Sequence, residues 1–299
     1  MPNFFRLYDN LVYDTGPVER LGWSVESEFT VPASYIEKGE FFLMRMCNGL
    51  GDWGIISAMP RLLKQKYPYA KVYLPSPKFI EKVFGDSAPW KHWPEPTYNC
   101  EKIFKHNPYV DGFLDEVQGE VYHDHFRIYD PSQEQVPLAQ QMLKFWGLSE
   151  EEIQDCLPEI YFSEEEKEQG DELITKYFGN EPFAGLITTA SQLKQGQFFE
   201  DTQNYKLQQV LKDYPLSYVY YGGVSVDQTP FADSVEVKLD FQQVPTPMRV
   251  QLYIRSKAKV NIGYQSSIFE IVSRYSQIIC TPMKGGVREN FLPGIKYIV

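Results

Sequence analysis

The chain has 299 residues, enough for two domains of about 120–150 residues each, and its 43% hydrophobic and 15% aromatic content marks it as globular rather than disordered. A formal charge of −11 argues against a protein that grips a nucleic-acid backbone, because that binding is driven by phosphate neutralisation. No stretch approaches the roughly 20 apolar residues of a membrane span, and Met1–Asn10 lacks the apolar centre of a signal peptide. Cys47, Cys100, Cys156 and Cys280 have neither metal-type nor disulfide-framework spacing, so reduced thiols and a cytoplasmic location are expected, with at most peripheral membrane association.

Residues 1–40 read as a prelude of short strands or loops packed on the first domain. The first regular unit follows. Phe41–Cys47 is an apolar run of strand length, Asn48-Gly49-Leu50-Gly51-Asp52-Trp53-Gly54 is a glycine-rich turn, and Ile55, Ile56, Met59, Leu62, Leu63 and Lys66 fall at helical spacing. Lys71–Leu74 is the next strand, so the crossover has the length of a βαβ unit. Ligands of such sheets bind beyond the carboxyl ends of the strands, where this turn would sit. Glycines there admit a close ligand, and Asp52 stands at the helix start either as a functional carboxylate or as a plain N-cap. Pro77–Phe84 predicts a short helix, Pro89–Pro96 with Trp90 and Trp93 an aromatic loop, and Asn107–Asp111 a turn. His123 and His125 alternate as on a strand and could face one ligand, but with no third ligand in the pattern a metal site is not expected. Val136–Trp146 reads as a helix ended by Gly147.

The domain boundary falls near Leu157–Ser163, giving an N-terminal domain over 1–160 and a C-terminal domain over 161–299. Ser163-Glu164-Glu165-Glu166 is a capping-box start for a helix reaching Phe178, its acids favoured by the macrodipole. Phe183–Thr188, Leu216–Tyr221, Val235–Leu239, Lys259–Ile262 and Gln277–Cys280 predict strands, and Asn204–Asp213, Pro247–Ser256 and Ile268–Tyr275 helices. Polar turns follow three of these strands: Thr189–Gly196 with Lys194, Gly222-Gly223, and Gly263–Ser267. Ser266-Ser267 before a helix present free amides and hydroxyls to an anion, and Lys194 offers a point charge for a phosphate. The competing reading makes Ser267-x-x-Glu270 a capping box and Lys194 a solvated side chain. Two successive Rossmann-like halves joined by one link predict an α/β protein with a cleft between its domains.

Taken together, these segments resemble the bacterial heptosyltransferases of glycosyltransferase family 9, which have the GT-B fold of two Rossmann-like domains facing across a cleft. The likeness runs, in order, through Gly51–Lys64, Tyr67–Val72, Asn107-Pro108-Tyr109-Val110-Asp111, Leu138–Leu148, Leu157-Pro158-Glu159-Ile160, Thr189–Lys194 and Asn261–Ile271. It departs in the closing motif, where the family has Asp-Ser/Thr-Gly and then a histidine, and this chain has Gln265-Ser266-Ser267 followed by Glu270.

The resemblance implies a glycosyltransferase that moves a sugar from a nucleotide-diphosphate donor to a hydroxyl of a glycan or lipopolysaccharide-like acceptor, with inversion. It implies no cofactor and no metal, in keeping with the absence of any Asp-x-Asp in the sequence. Asp52 becomes the catalytic base. Lys194, Gly222, Gly223, Gln265, Ser266, Ser267 and Glu270 become the donor side, with Glu270 on the ribose, and Asn48, Gly51, Trp53, His123 and His125 the acceptor side. Two alternatives are a catalytically inert nucleotide- or glycan-binding protein of the same fold and a DNA-base glycosyltransferase; the latter should show a basic groove, against which the charge of −11 argues.

Overall fold

Phe41, Phe42, Leu43 and Met44 are all buried, so the first strand run is covered on both faces, as in a parallel sheet flanked by helices. The protein is described by a computed structural model over residues 31, 33–45, 49–84, 99–117, 123–124, 137–188, 201–221, 226–229, 231–281 and 292–297. The chain divides into two units, Met1–Cys156 and Leu157–Val299.

In the first unit, helix α1 (Ala33–Glu37) precedes the run 40–45, which is two strands rather than one: β1 (Glu40–Phe42) and β2 (Met44–Arg45). β1 pairs in parallel with β3 (Lys71–Pro75), which pairs with β4 (Gly112–Leu114), whereas β2 pairs with β5 (His123–Asp124). The short helix α1 replaces the strands or loops expected there. Its Tyr35 meets Phe41 edge-on and Trp146 at a tilt, so residues before the first strand help close the core.

The stretch expected as a glycine-rich turn is itself helical, α2 (Leu50–Ile55), and the helix expected from Ile55 to Lys66 is interrupted before α3 (Met59–Lys66). Pro60 is the cause. It has no N–H to donate to the Ile56 carbonyl, and its ring would collide with that oxygen in a continuous helix. The chain turns tightly instead, with Ser57 N donating to Gly54 O at 3.0 Å and Met59 N to Ile56 O at 2.9 Å. Helices α4 (Pro77–Phe84) and α5 (Asn99–Phe104) follow β3, and the Phe42 ring meets Phe79 of α4 at 5.0 Å. Asp111 then behaves like an extra strand residue: its N–H donates to Val72 O at 2.8 Å and its Oδ2 accepts from Val72 N at 2.8 Å. Burial opposes its charge, but ion pairs with Lys64 and Lys71 and the Val72 amide outweigh that and hold the carboxyl below its ordinary range. Helix α6 (Leu138–Phe145) ends the unit, where Lys66 grips Gly147 O and Glu152, and Arg61 grips Asp155.

The second unit opens on a link whose carbonyls are held from within the unit. Arg274 donates to Leu157 O at 2.8 Å, and Tyr275 Oη engages both Ile160 N and Ile160 O at 3.1 Å. The capping box at Ser163 forms, with Glu166 N donating to Ser163 Oγ and Ser163 N to Glu166 Oε2, and starts α7 (Glu164–Phe178). The order continues β6 (Phe183–Ile187), α8 (Asp201–Lys212), β7 (Ser217–Tyr221), β8 (Glu236–Asp240), α9 (Met248–Lys257), β9 (Val260–Tyr264), α10 (Ser267–Val272), β10 (Gln277–Thr281) and β11 (Lys296–Tyr297). All pairings are parallel in the sheet order β11-β10-β9-β6-β7-β8. Counted from β6, that is the 3-2-1-4-5-6 order of a dinucleotide-binding domain, with its reversal point between β6 and β9. One face buries Leu186, Tyr218, Tyr220, Ile262 and Tyr264 under Leu207 and Leu211 of α8; the other packs Val219, Leu239 and Phe183 against Phe178 of α7 and Val250 and Ile254 of α9.

At that reversal Arg255 is fully buried. Its Nη2 donates to Leu186 O at 3.0 Å and its Nη1 to Asn261 Oδ1 at 3.3 Å, while Asn261 Nδ2 donates back to Arg255 O at 3.1 Å. Burial pushes the guanidinium down to about 9. Gly185 faces Asn261 across the β6–β9 ladder, and a Cβ there would lie 2.0 Å from Asn261 Oδ1 and 2.6 Å from Arg255 Nη1. β9 also runs further than expected, through Gly263 and Tyr264, because Tyr264 is buried and pairs with Thr281 in the β10 ladder.

Two outcomes follow from these contacts. Gly185→Ala is expected to lower unfolding free energy by about 1–3 kcal/mol in urea titration, the cost of overpacking a site with no room to yield. A carboxyl held below its unfolded value, near 3.9, stabilises the fold above that pH and loses the contribution as pH falls through the folded value. Asp111→Asn should therefore lower stability at pH 7 and flatten its decline below about pH 4, as read by urea titrations across pH.

Candidate functional site

Candidate site residues occur in both units, and each unit is taken by itself. In the first, Gly49 is the N-cap of α2 and Asp52 is the third residue inside the helix, so the aspartate is not itself the cap. Its Oδ2 accepts from Gly49 N at 2.8 Å, which satisfies one amide that the helix leaves open. Oδ1 accepts from nothing among the described residues, and the side chain is only partly buried. The carboxylate is thus held by one oxygen and open at the other. Trp53 and Gly51 are corrected by burial: the Trp53 indole has no exposed surface and meets Phe104 edge-on at 6.3 Å, so it belongs to the core rather than to an acceptor surface. Gly51 is buried backbone of the same helix. His123 lies on β5 opposite Met44, beside the strand that leads into the Asp52 turn. Asn48, His125, Trp90 and Trp93 lie outside the described residues.

In the second unit, five adjacent strands end in polar side chains. Thr188 follows β6, and its Oγ1 shares a hydrogen bond of 2.8 Å with Tyr220 Oη on β7. Burial raises the Tyr220 phenol, the Thr188 bond pulls it back, and the charges of Asp240 and Asp227 raise it further. Asp240 ends β8; its Oδ1 accepts from Gln242 N at 2.8 Å and its buried Oδ2 accepts from nothing. Gln265 follows β9 and Thr281 ends β10. Gln265 N donates to Thr281 O at 3.1 Å, yet Gln265 Nε2 and Thr281 Oγ1 are both buried and have no partner among the described residues. Leaving such a group unpaired costs about 1–3 kcal/mol, so three of them along one sheet edge mark where a ligand's polar groups would be welcome.

Close approach of backbone shapes this edge. Gly263 has φ +150° and a Cβ there would lie 1.9 Å from Ile187 O, so only glycine brings the ends of β9 and β6 this near. Ser266 is the N-cap of α10, its Oγ accepting from Ile268 N at 3.4 Å. That corrects the capping box expected for Ser267 and Glu270: Ser267 is the first residue inside the helix, and Glu270 falls one position too late to reach back. Glu270 is instead buried near Cys280, whose thiol is pushed up to about 12 by burial first and by the Glu270 charge second. Lys194, Gly222 and Gly223 lie outside the described residues, in the segments that leave β6 and β7.

Thr188, Tyr220, Asp240 and Thr281 were not singled out from sequence. Two of them share a legible signal, a threonine closing an apolar stretch, as in Phe183–Thr188 and Ile278–Thr281. Among the described residues no group of three His, Cys, Asp or Glu side chains is placed to hold a metal ion.

No protein-family model matches the sequence, and neither does any curated protein sequence. The fold does have solved counterparts. A family 9 glycosyltransferase from Veillonella parvula superposes with a TM-score of 0.52 at 11% identity, covering 83% of this chain and 81% of that one. Weaker likenesses extend to the ADP-heptose lipopolysaccharide heptosyltransferase II of E. coli, at TM-score 0.44, 11% identity and coverage of 86% and 90%. The E. coli heptosyltransferase WaaC, solved with ADP-2-deoxy-2-fluoro heptose, follows at TM-score 0.43, 10% identity and coverage of 86% and 92%. The Veillonella likeness shows the architecture, the α/β, parallel-sheet fold of a GT-B glycosyltransferase.

An unpaired buried hydroxyl can be removed without breaking a bond. Thr281→Val is expected to leave the unliganded protein as stable as its parent or to raise stability by up to about 1–3 kcal/mol, measured by urea unfolding.

Proposed function

We propose that this protein is a cytoplasmic inverting glycosyltransferase that moves a sugar from a nucleotide-diphosphate donor to a hydroxyl of a glycan or similar acceptor, without a metal on the diphosphate. The observation that carries the reading is the strand reversal of the second unit. Open α/β sheets bind ligands beyond the carboxyl ends of the strands at that reversal, and here that edge holds Thr188, Gln265 and Thr281, two of them with unpaired atoms.

On this reading residues 161–299 form the donor domain. Gln265 Nε2, Thr281 Oγ1 and the Ser266-Ser267 turn donate to donor oxygens, and Lys194, on the segment leaving β6, supplies positive charge as the diphosphate departs. A neutral amide at Gln265, where the resembled family has a carboxylate, adds no repulsion toward that anion. Glu270 and Asp240 are the acids assigned to ribose hydroxyls, and Gly222 and Gly223, which follow β7 in sequence, belong to the donor side. Residues 1–160 form the acceptor domain, with Asp52, Asn48, His123 and His125 on its side.

The chemistry is a single displacement. As the acceptor oxygen forms its bond to the anomeric carbon, its proton passes to Asp52 Oδ1. The bond from that carbon to the diphosphate oxygen breaks, and its electron pair leaves with the nucleotide diphosphate. Configuration at the carbon inverts because attack and departure occur on opposite faces. The Gly49 amide donates to Asp52 Oδ2, and among the described residues nothing donates to the proton-accepting Oδ1.

A base acts as the hydroxyl attacks, so its loss lowers turnover and spares donor binding. Asp52→Asn is expected to cut transfer about 10²–10⁴-fold in a nucleotide-sugar panel while the donor-induced rise in melting temperature persists. Thr281→Val should diminish that rise. Transfer by Asp52→Asn at the parental rate would remove the aspartate as base; binding without turnover by either protein would favour an inert binding protein.

A further inference from the structure

We infer that Gly49 is a positioning residue for Asp52: the space left by its missing side chain, together with its amide, sets which carboxylate oxygen faces the acceptor. This rests on the base role proposed for Asp52. Three observations support it. Gly49 has φ −67° and ψ 150°, ordinary extended backbone that any residue adopts, so conformation does not require glycine there. Capping does not require it either, since Ser, Thr, Asp and Asn serve better at an N-cap than glycine. What does require it is room. A Cβ on residue 49 would lie 2.5 Å from Asp52 Oδ2 and 3.3 Å from Asp52 Cγ, the two contacts it would make within 4 Å.

Both contacts are to one short side chain, so a larger residue would fold with little strain and simply evict the carboxylate. The hydrogen bond from Gly49 N to Oδ2 would break, and Oδ1 would lose its aim. Misplacement of a reacting group by about 1 Å can cost on the order of 10²-fold in rate. Turnover is therefore expected to fall whichever way stability moves, which a purely structural glycine would not produce.

Gly49→Ser makes that separation sharp, because serine is the better helix cap. It is expected to match or exceed the parent in melting temperature and to keep the donor KM, while kcat for sugar transfer falls about 10–100-fold. Gly49→Ala should show the same kcat loss with a slightly lower melting temperature. Combined with Asp52→Asn, neither substitution should slow transfer further, since the group it misplaces is already gone. Parental kcat in both Gly49 variants, with Asp52→Asn impaired, would overturn the positioning role and leave the base intact. Parental kcat in Asp52→Asn would overturn the base itself. Independently of turnover, Asp52→Ala should speed hydrogen exchange at the Gly49 amide in ¹⁵N spectra; an unchanged exchange rate would mean that the contact is not made, and the inference fails.

Discussion

A guanidinium with no carboxylate partner holds the second unit together. Arg255 is fully buried, and among the described residues its donors meet only the Leu186 carbonyl and the Asn261 amide oxygen, with the Phe241 ring 5.9 Å from its Cζ. Burying a charge this way is unfavourable in isolation, and truncating one partner of such a group costs more than the pair contributes. Here the cost is spread through a hydrogen-bond circuit that, among the described residues, leaves Arg255 Nε without a partner. Asn261 accepts from Arg255, donates back to its carbonyl and to Ser276 Oγ, and Ser276 Oγ donates to Ala258 O. Helix α9 is thereby tied to β6 and β9, the two strands on either side of the reversal, and the glycine at 185 is what lets the circuit close.

The ends of those strands inherit that geometry. Gly263 brings β9 against the Ile187 carbonyl, and one residue beyond each strand stand Gln265 and Thr188. Polar groups of the fold differ in how fully they are paired. Asp111, Glu166, Arg249 and Arg274 are paired to backbone or opposite charge, and each stitches one element to another. Asp240 Oδ2, Gln265 Nε2 and Thr281 Oγ1 are buried at the strand ends with no partner among the described residues, as are Asn107 Nδ2, Gln251 Oε1 and Arg255 Nε elsewhere. Asp52 falls between the two kinds, held at one oxygen and open at the other.

Much of the fold could be read directly. Five strands of the second unit matched apolar runs to within a residue or two, and Ser163 with Glu166 announced the start of α7. Misreadings came where a local rule met a competing one. Helical spacing from Ile55 to Lys66 ran straight across Pro60, whose missing N–H splits the helix. Gly263-Tyr264 looked like a turn, yet ladder pairing with β10 kept it extended. Ser267 and Glu270 had capping-box spacing, but Ser266 took the cap and shifted the frame by one residue. The two-residue pair β11 to β10 has no pattern of its own and exists only because a sheet edge was there to receive it.

Alternation, apolar run length and glycine or proline punctuation are local, so the sequence by itself determined the α/β class, most elements and the place of Asp52 just after the first strand run. Strand order, burial and hydrogen-bond completion depend on residues far apart in the chain. Only the tertiary structure decided that β6 and β9 are neighbours, that Arg255 is buried between them, and that Trp53 is core rather than surface. It alone separated strand-end polar groups with partners from those without. No periodicity encodes that difference, because it arises when distant segments compete for the same hydrogen bonds.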